Sequence, residues 1–405
     1  MTNEFDAVVV GGGPCGSFSA LTAAKLGARV AVCEEHGTIG IPTHCTGHLN
    51  LNGLKRLKLH PLSKHILENE FRGVTFYSPS GIEFSIRFDS PVTCAVNREL
   101  FDKYLADVAM RACVEYHLGS RVESLILEKG IVKGVVIDSR GFKETLSSKI
   151  VINAEGVSSV ILKKAGLQSL NRSMVVSAVH AEMDKVDDVE DDLVEVYLGE
   201  KYAPGFFAWI IPKKDGTAKV GLATNVGNPK RCLHKFMQDH PIASSKLNKS
   251  KILKQSFHLI PIGGSISKTY HNGLLIVGDA ASQVKPTTGG GVIFGLLCSK
   301  IAGEVAYEAR KTNDFSERFL SRYENRWRAL IGFELALMRR LRMMLNGLSD
   351  KRVDKIVELC AELEMGRVLE KHGDLDFEAA SLIRMLGHPA TFLLSVYFLF
   401  SSFLH

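Results

Sequence analysis

The sequence predicts a mixed α/β chain, α+β over its whole length: a parallel-sheet domain, an antiparallel β-sheet domain carried as insertions, and a C-terminal helical region. Three observations predict it. The apolar run Phe5 to Val10 runs into a glycine-rich turn and then a helical pattern. Short, β-rich, partly alternating segments occupy 71–95 and 173–225. From Phe315 onward, apolar and basic residues recur at helical spacing. A length of 405 residues allows roughly two or three domains. An apolar fraction of 45% with 23% charged residues excludes long disorder and a multi-span membrane protein. A net charge of +6 is too mild for a dedicated nucleic-acid binder. Eight cysteines without a C-x-x-C pair predict reduced thiols in a cytoplasmic compartment. Met1 to Glu4 lacks the basic n-region of a signal peptide.

The first element carries a cofactor signal. Phe5–Val10 reads as a buried parallel strand, and Gly11-Gly12-Gly13-Pro14-Cys15-Gly16 follows at once. Ser17 to Leu26 is helical, Gly27 stops it, and Arg29 to Cys33 is a second strand closed by Glu34. Strand, G-x-G-x-x-G, helix, strand and acid make a dinucleotide fingerprint in its required context. Gly11 permits the tight turn, Gly13 the approach of a pyrophosphate, and Gly16 the packing of helix on strand. The helix N-terminus offers N–H groups and partial positive charge to phosphates. Glu34 is placed for ribose hydroxyls, which favours FAD or NAD over NADP.

A second element, far down the chain, selects FAD. Leu274 to Val277 is an apolar strand ending in Gly278-Asp279-Ala280-Ala281, followed by Pro286-Thr287-Thr288-Gly289-Gly290-Gly291-Val292 and a helix to about Arg310. A strand-end Asp279 suits a ribityl chain. Gly290, Gly291 and Val292 let backbone lie against a flavin ring, with a helix N-terminus aimed at its electron-rich side.

With both motifs in view, the sequence resembles the p-hydroxybenzoate hydroxylase-like flavoproteins, a group that includes aromatic hydroxylases, flavin halogenases and geranylgeranyl reductases. It is most similar to the geranylgeranyl reductases, of the digeranylgeranylglycerophospholipid reductase kind. They share the strand-end Gly-Asp-Ala-Ala with Pro-x-Thr-Gly-Gly-Gly. They also share Pro-x-x-Cys-x-Gly, here Pro42-Thr43-His44-Cys45-Thr46-Gly47, and an aromatic motif that here reads Pro204-Gly205-Phe206-Phe207-Ala208-Trp209-Ile210-Ile211-Pro212. The resemblance implies a Rossmann-type FAD-binding domain over 1–70, 96–172 and 256–314, and a substrate domain over 71–95 and 173–255. It implies that Arg98 reaches the FAD, that Val122 supplies a backbone contact to adenine, and that Cys15 contributes its N–H in the phosphate loop. Cys45 and Gly47 are implied to sit beside the isoalloxazine. Glu155-Gly156 stands where relatives have Asp-Gly.

The two β-rich insertions suggest one sheet roofing the flavin, with Phe206, Phe207 and Trp209 as apolar walls for substrate. Asp184 to Asp192 holds six acids and reads as a solvated loop. His36, His44, Cys45 and His48 are too irregularly spaced for a metal site, and none is expected. In the helical region 315–405, arginines from Arg318 to Arg342 are followed by the apolar stretch 390–404. At 15 residues, that stretch is shorter than the ~20 that span a bilayer. A basic surface and an apolar end suit peripheral attachment to an anionic membrane on the inner face, with internal packing as the competing reading.

The activity implied is FAD-dependent saturation of carbon–carbon double bonds in geranylgeranyl chains, on archaeal-type ether phospholipids. Cys45, His44 or a water held there is expected to supply the proton. The absence of a second G-x-G-x-x-G implies an external electron donor: ferredoxin, a quinol or NAD(P)H. The competing readings are a flavin-dependent halogenase, a monooxygenase, and a non-catalytic prenyl-lipid-binding flavoprotein. A halogenase is disfavoured because residues 73–86 lack the lysine expected near position 80.

Overall fold

A computed structural model describes residues 4–168 and 170–372, together with His388 and Thr391. The chain forms two compact units. One gathers residues 1–43, 98–172 and 261–336; the other gathers 44–97, 173–260 and 337–405. These boundaries depart from the expected ones: 96–97, 256–260 and 337–405 fall with the second unit, and two larger segments change place. Residues 44–70 belong with the second unit, because the strands His48–Asn50 and Leu67–Phe71 both pair with Thr93–Val96. Residues 315–336 belong with the first.

The first unit is built on one sheet. Its order from one edge is Tyr270–His271, Leu274–Ile276, Phe142–Asn153, Glu4–Val10, Val30–Glu34 and Glu115–Leu118. Every neighbouring pair along this path is parallel except the outermost, Tyr270–His271 with Leu274–Ile276. Val8, Val9, Val30, Ala31 and Val32 are fully buried, as strands covered on both faces must be. The chain leaves Glu4–Val10 toward one edge and later returns on its other side. The carboxyl ends of Glu4–Val10 and Phe142–Asn153 therefore flank a topological switch point, where such sheets bind ligands. The strands Ser120–Glu128 and Ile131–Ser139 form an antiparallel excursion off Phe142–Asn153. The helix Pro14–Lys25 packs so closely on Val292–Thr312 that a Cβ on Gly303 would lie 2.6 Å from the Ser19 carbonyl oxygen.

The helical stretch that closes this unit is internally packed. Phe319, Leu320, Tyr323 and Trp327 of helix Glu317–Trp327 are buried. Arg326 forks onto Glu308 with two bonds of 2.8 Å, and Arg328 pairs with Glu324 at 2.9 Å. The four apolar and aromatic residues are internally packed, while Arg326 and Arg328 are exposed.

The second unit holds a seven-stranded sheet in the order Lys251–Pro261, Val175–Asp184, Ala218–Thr224, Phe207–Pro212, Leu193–Leu198, Gly73–Tyr77 and Glu83–Arg87. It is not wholly antiparallel. The two insertions meet at a parallel pair, with Leu193 opposite Gly73 and Tyr197 opposite Tyr77. One face is a core in which Val179, Val220, Leu222 and Ile210 pack with Leu233 and Phe236 of helix Pro229–Asp239. The acids of 184–192 are less free than a solvated loop implies: Arg87 pairs with Glu190 and Asp192, and Lys249 with Asp187. These are exposed pairs, worth little to stability. Helix Met365–His372 lies against Glu83–Arg87, where a Cβ on Gly366 would sit 2.3 Å from the Ser85 carbonyl oxygen. Except for Thr391, the apolar stretch 390–404 lies outside the described residues. Among the described residues, no helix is long and apolar enough to cross a membrane.

Candidate active site

The glycine fingerprint forms the turn its spacing demands. Gly11 has a φ of +96°, and a Cβ there would lie 2.5 Å from the Ala154 carbonyl oxygen. At Gly16 the hypothetical Cβ would fall 1.8 Å from the Gly11 carbonyl oxygen, so helix and turn touch through backbone alone. Gly13 is different: nothing lies within 4 Å of its Cβ direction. It is the N-cap of Pro14–Lys25, which has Pro14 in its first turn, no side-chain cap and no first-turn acid. The space beside it is lined by an electropositive helix end, which suits a pyrophosphate.

A second helix N-terminus meets the first. Gly291 caps Val292–Thr312, again without a side-chain cap or first-turn acid. The Cys15 sulfur joins the two ends, since a Cβ on Gly295 would be 2.5 Å from it and one on Gly278 2.8 Å. Burial pushes the Cys15 thiol up to about 12, with the Asp279 charge adding to the effect. Its side chain is thus a neutral packing group. Asp279 follows Gly278 in a turn braced by Gln283, whose side-chain oxygen accepts the Gly278 N–H at 2.9 Å. Desolvation lifts the Asp279 carboxyl to about 6, with the Arg98 guanidinium pulling the other way. Its Oδ1 would be 3.0 Å from a Cβ on Gly291, so carboxylate and glycine backbone share one small space.

Arg98 opens helix Arg98–Arg111. Its guanidinium is held by Asp102 through two bonds of 3.1 Å, both side chains being buried. Burial raises the Asp102 carboxyl, against the Arg98 charge. Asp102, which the sequence reading passed over, fixes the direction of Arg98; an acid four residues along the same helix is the signal that would have found it. Glu34 ends its strand and accepts the Gly12 N–H at 2.7 Å. Its other oxygen accepts the His36 N–H at 2.9 Å and faces His36 Nδ1 at 2.6 Å. His36 therefore steadies the acid of the fingerprint. Val122 is buried in Ser120–Glu128. Glu155 caps the turn after its strand, accepting the N–H groups of Val160, Ile161 and Leu162 at 2.8–3.1 Å.

The remaining predicted residues lie in the second unit. His44 is exposed and Cys45 half-buried, with the Cys45 sulfur 3.4 Å from the Gly47 nitrogen that donates to it. Gly47 has a φ of +75°, and its carbonyl accepts the Val96 N–H at 2.9 Å. His48 bonds Thr93 Oγ1 at 2.8 Å and packs edge-on against Phe71. Phe206 and Phe207 stack at 4.4 Å between ring centroids, and Trp209 meets Phe207 edge-on at 6.0 Å. Arg342 lies 4.6 Å over the Phe206 ring, so one of the arginines read as basic surface is buried. The Trp209 ring covers Gly221, where a Cβ would be 2.6 Å from Cζ2.

The open cradle at Gly13, the two uncapped helix ends and the half-buried Asp279 beside Gly291 fit FAD. The FAD binding domain family model matches residues 4–296. The digeranylgeranylglycerophospholipid reductase 2 of Methanopyrus kandleri is 34% identical over 88% of this chain and 90% of its own length. A geranylgeranyl bacteriochlorophyll reductase-like protein of Thermoplasma acidophilum superposes with a TM-score of 0.86 at 27% identity, covering 97% of this chain and 99% of its own. The myxobacterial chondrochloren halogenase, at 18% identity and a TM-score of 0.72 over 98% and 97% of the two chains, shares the fold alone. The chain binds FAD and belongs to the family of the digeranylgeranylglycerophospholipid reductases.

Proposed function

We propose that this protein saturates the carbon–carbon double bonds of geranylgeranyl chains on archaeal-type ether phospholipids. The observation that carries the reading is the identity to a named reductase across nearly the whole of both chains, with the Cys45 turn and the Gly278–Val292 segment intact. Reduced FAD, when bound, supplies a hydride to one alkene carbon. The other carbon must take a proton, and an isolated alkene is not polarised toward attack. Placement and exclusion of water therefore carry much of the rate.

The roles of the chain's own residues follow. Gly11, Gly13, the Cys15 N–H and Gly16 receive the pyrophosphate, and Glu34 the ribose. Val122 meets adenine through its backbone. Arg98, Asp279 and the backbone of Gly290, Gly291 and Val292 hold the remainder of the cofactor. Phe206, Phe207 and Trp209 wall the prenyl chain, with the backbone at Gly47 shaping the turn. Cys45, with His44 next to it, delivers the proton directly or through a water. Electrons come from an external donor of the ferredoxin, quinol or NAD(P)H class. The lipid is reached at a membrane surface, on which the protein sits peripherally.

The test is anaerobic. The protein is reduced with dithionite, mixed with a geranylgeranylated glycerophospholipid, and the lipid mass is followed. Stepwise gain of hydrogen pairs is expected. An unchanged lipid beside fully reduced flavin would sink the proposal. Cys45→Ala is expected to keep its flavin and lose about 10²-fold or more in turnover; turnover at the wild-type rate would remove Cys45 from the chemistry.

A further inference from the structure

We propose that Lys219 is the positioning residue of the Cys45 turn. This assignment rests on the reading of Cys45 as the proton-delivering group.

Within the second unit, His180, Gly221, Trp209 and Val196 lie opposite one another on adjacent strands and so share a face. Lys219, two residues from Gly221, projects from that same face, away from the core on the other side. Only 3% of it is exposed. A buried ammonium is costly unless each of its three N–H groups finds a partner. Here Nζ donates to the Thr46 carbonyl at 2.8 Å and to the Val96 carbonyl at 2.9 Å, and it pairs with the Glu68 carboxylate.

The choice of partners separates this cation from a simple buried ion pair. Both of its hydrogen bonds go to main-chain oxygens. Thr46 follows Cys45 directly, and Val96 is the residue whose N–H already holds Gly47. The Thr46 peptide is therefore gripped from both sides: its carbonyl by Lys219, and the residue after it by the strand Thr93–Val96. Gly47, the next residue, has a left-handed conformation, so the peptide that Lys219 grips lies in the turn itself. Orienting it orients Cys45 and the bond its sulfur accepts from the Gly47 N–H. Glu68 sets a negative charge beside the buried ammonium, and Lys213, 3.6 Å from the other Glu68 oxygen, steadies the carboxylate.

The test uses the full-length, FAD-loaded protein. Lys219→Met combined with Glu68→Gln removes both charges and leaves no unpaired ion behind. Melting temperature and flavin content report whether it folds. Cys45 alkylation by iodoacetamide is then followed peptide by peptide, with the exposed Cys113 as internal reference. The expected result is native-like folding and flavin content, a several-fold change in the Cys45-to-Cys113 rate ratio, and kcat down about 10²-fold with little change in KM. A wild-type ratio in a folded double variant overturns the proposal. Should the double variant not fold, Lys219→Arg keeps the charge but replaces a tetrahedral donor set with a planar fork. It too must shift the ratio, and a wild-type ratio there overturns the proposal equally. If the wild-type chain reduces no prenyl lipid, the functional reading falls, while the alkylation ratio still decides the tether.

Discussion

Gly13 and Gly16 stand three residues apart and do opposite things. Gly16 is glycine because the protein leaves no room; Gly13 is glycine although the protein leaves ample room. Gly13→Val is therefore expected to fold normally, its φ of −66° being open to any residue, and to purify without flavin. Normal absorbance of bound FAD in that variant would contradict the assignment. Asp279 makes a second residue-scale prediction. Its carboxyl titrates near 6 when folded, above the ordinary aspartate value, so it favours the folded state while protonated and loses that contribution as pH rises through about 6. FAD-free Asp279→Asn should melt like the wild type near pH 4 and be more stable by about 3 kcal/mol well above pH 6. A constant difference across that range would refute the shift. Of these residues, the sequence singled out the glycines and Asp279 as candidates because their signals are local: a strand, a turn and a helix in direct succession. Asp102 escaped because a carboxylate on a helix looks like ordinary surface, and His36, weighed only as a metal ligand, was not tied to Glu34. Lys219 escaped for a stronger reason. A lysine within an alternating strand reads as solvent-facing, and only the strand Thr93–Val96, more than a hundred residues earlier in the chain, shows what it grips.

At the scale of elements, the helix pair Pro14–Lys25 and Val292–Thr312 brings two uncapped N-termini to one place. That convergence depends on small residues along the contact. Gly303→Leu is expected to force the helices apart, destabilising the protein by about 3 kcal/mol and lowering flavin content, although residue 303 lies more than two helical turns from the cofactor end. Calorimetry with flavin quantification checks it; full flavin occupancy with an unchanged melting temperature would show that the contact is dispensable. Both helices were readable from periodicity, but their pairing was not, since nothing local joins residue 19 to residue 303. The same limit explains the sheet. Sequence pattern identified Gly73–Tyr77, Glu83–Arg87, Leu193–Leu198 and Ala218–Thr224 but not the other three strands of the sheet, and the parallel register of Leu193 with Gly73 is a long-range choice that alternation does not encode.

For the whole molecule, the reading of a lipid enzyme working at a surface makes its own prediction. The full chain should sediment with vesicles containing anionic lipid, and less so in high salt. A chain ending at residue 389 should lose most of that binding while keeping its FAD. Equal binding by both chains would move the attachment away from the apolar stretch 390–404.

The parallel pair that unites the two insertions bears on how the protein is made. Gly73–Tyr77 leaves the ribosome about 120 residues before the strand it must pair with. At ~5–20 residues per second, that strand waits on the order of ten seconds with one edge unmatched. During that interval Val74, Phe76 and their neighbours on Glu83–Arg87 form a two-stranded ribbon with an open apolar side, a hazard for association between nascent chains. Yield in a cell is then governed less by the finished protein's stability than by how this ribbon is shielded until Leu193–Leu198 arrives.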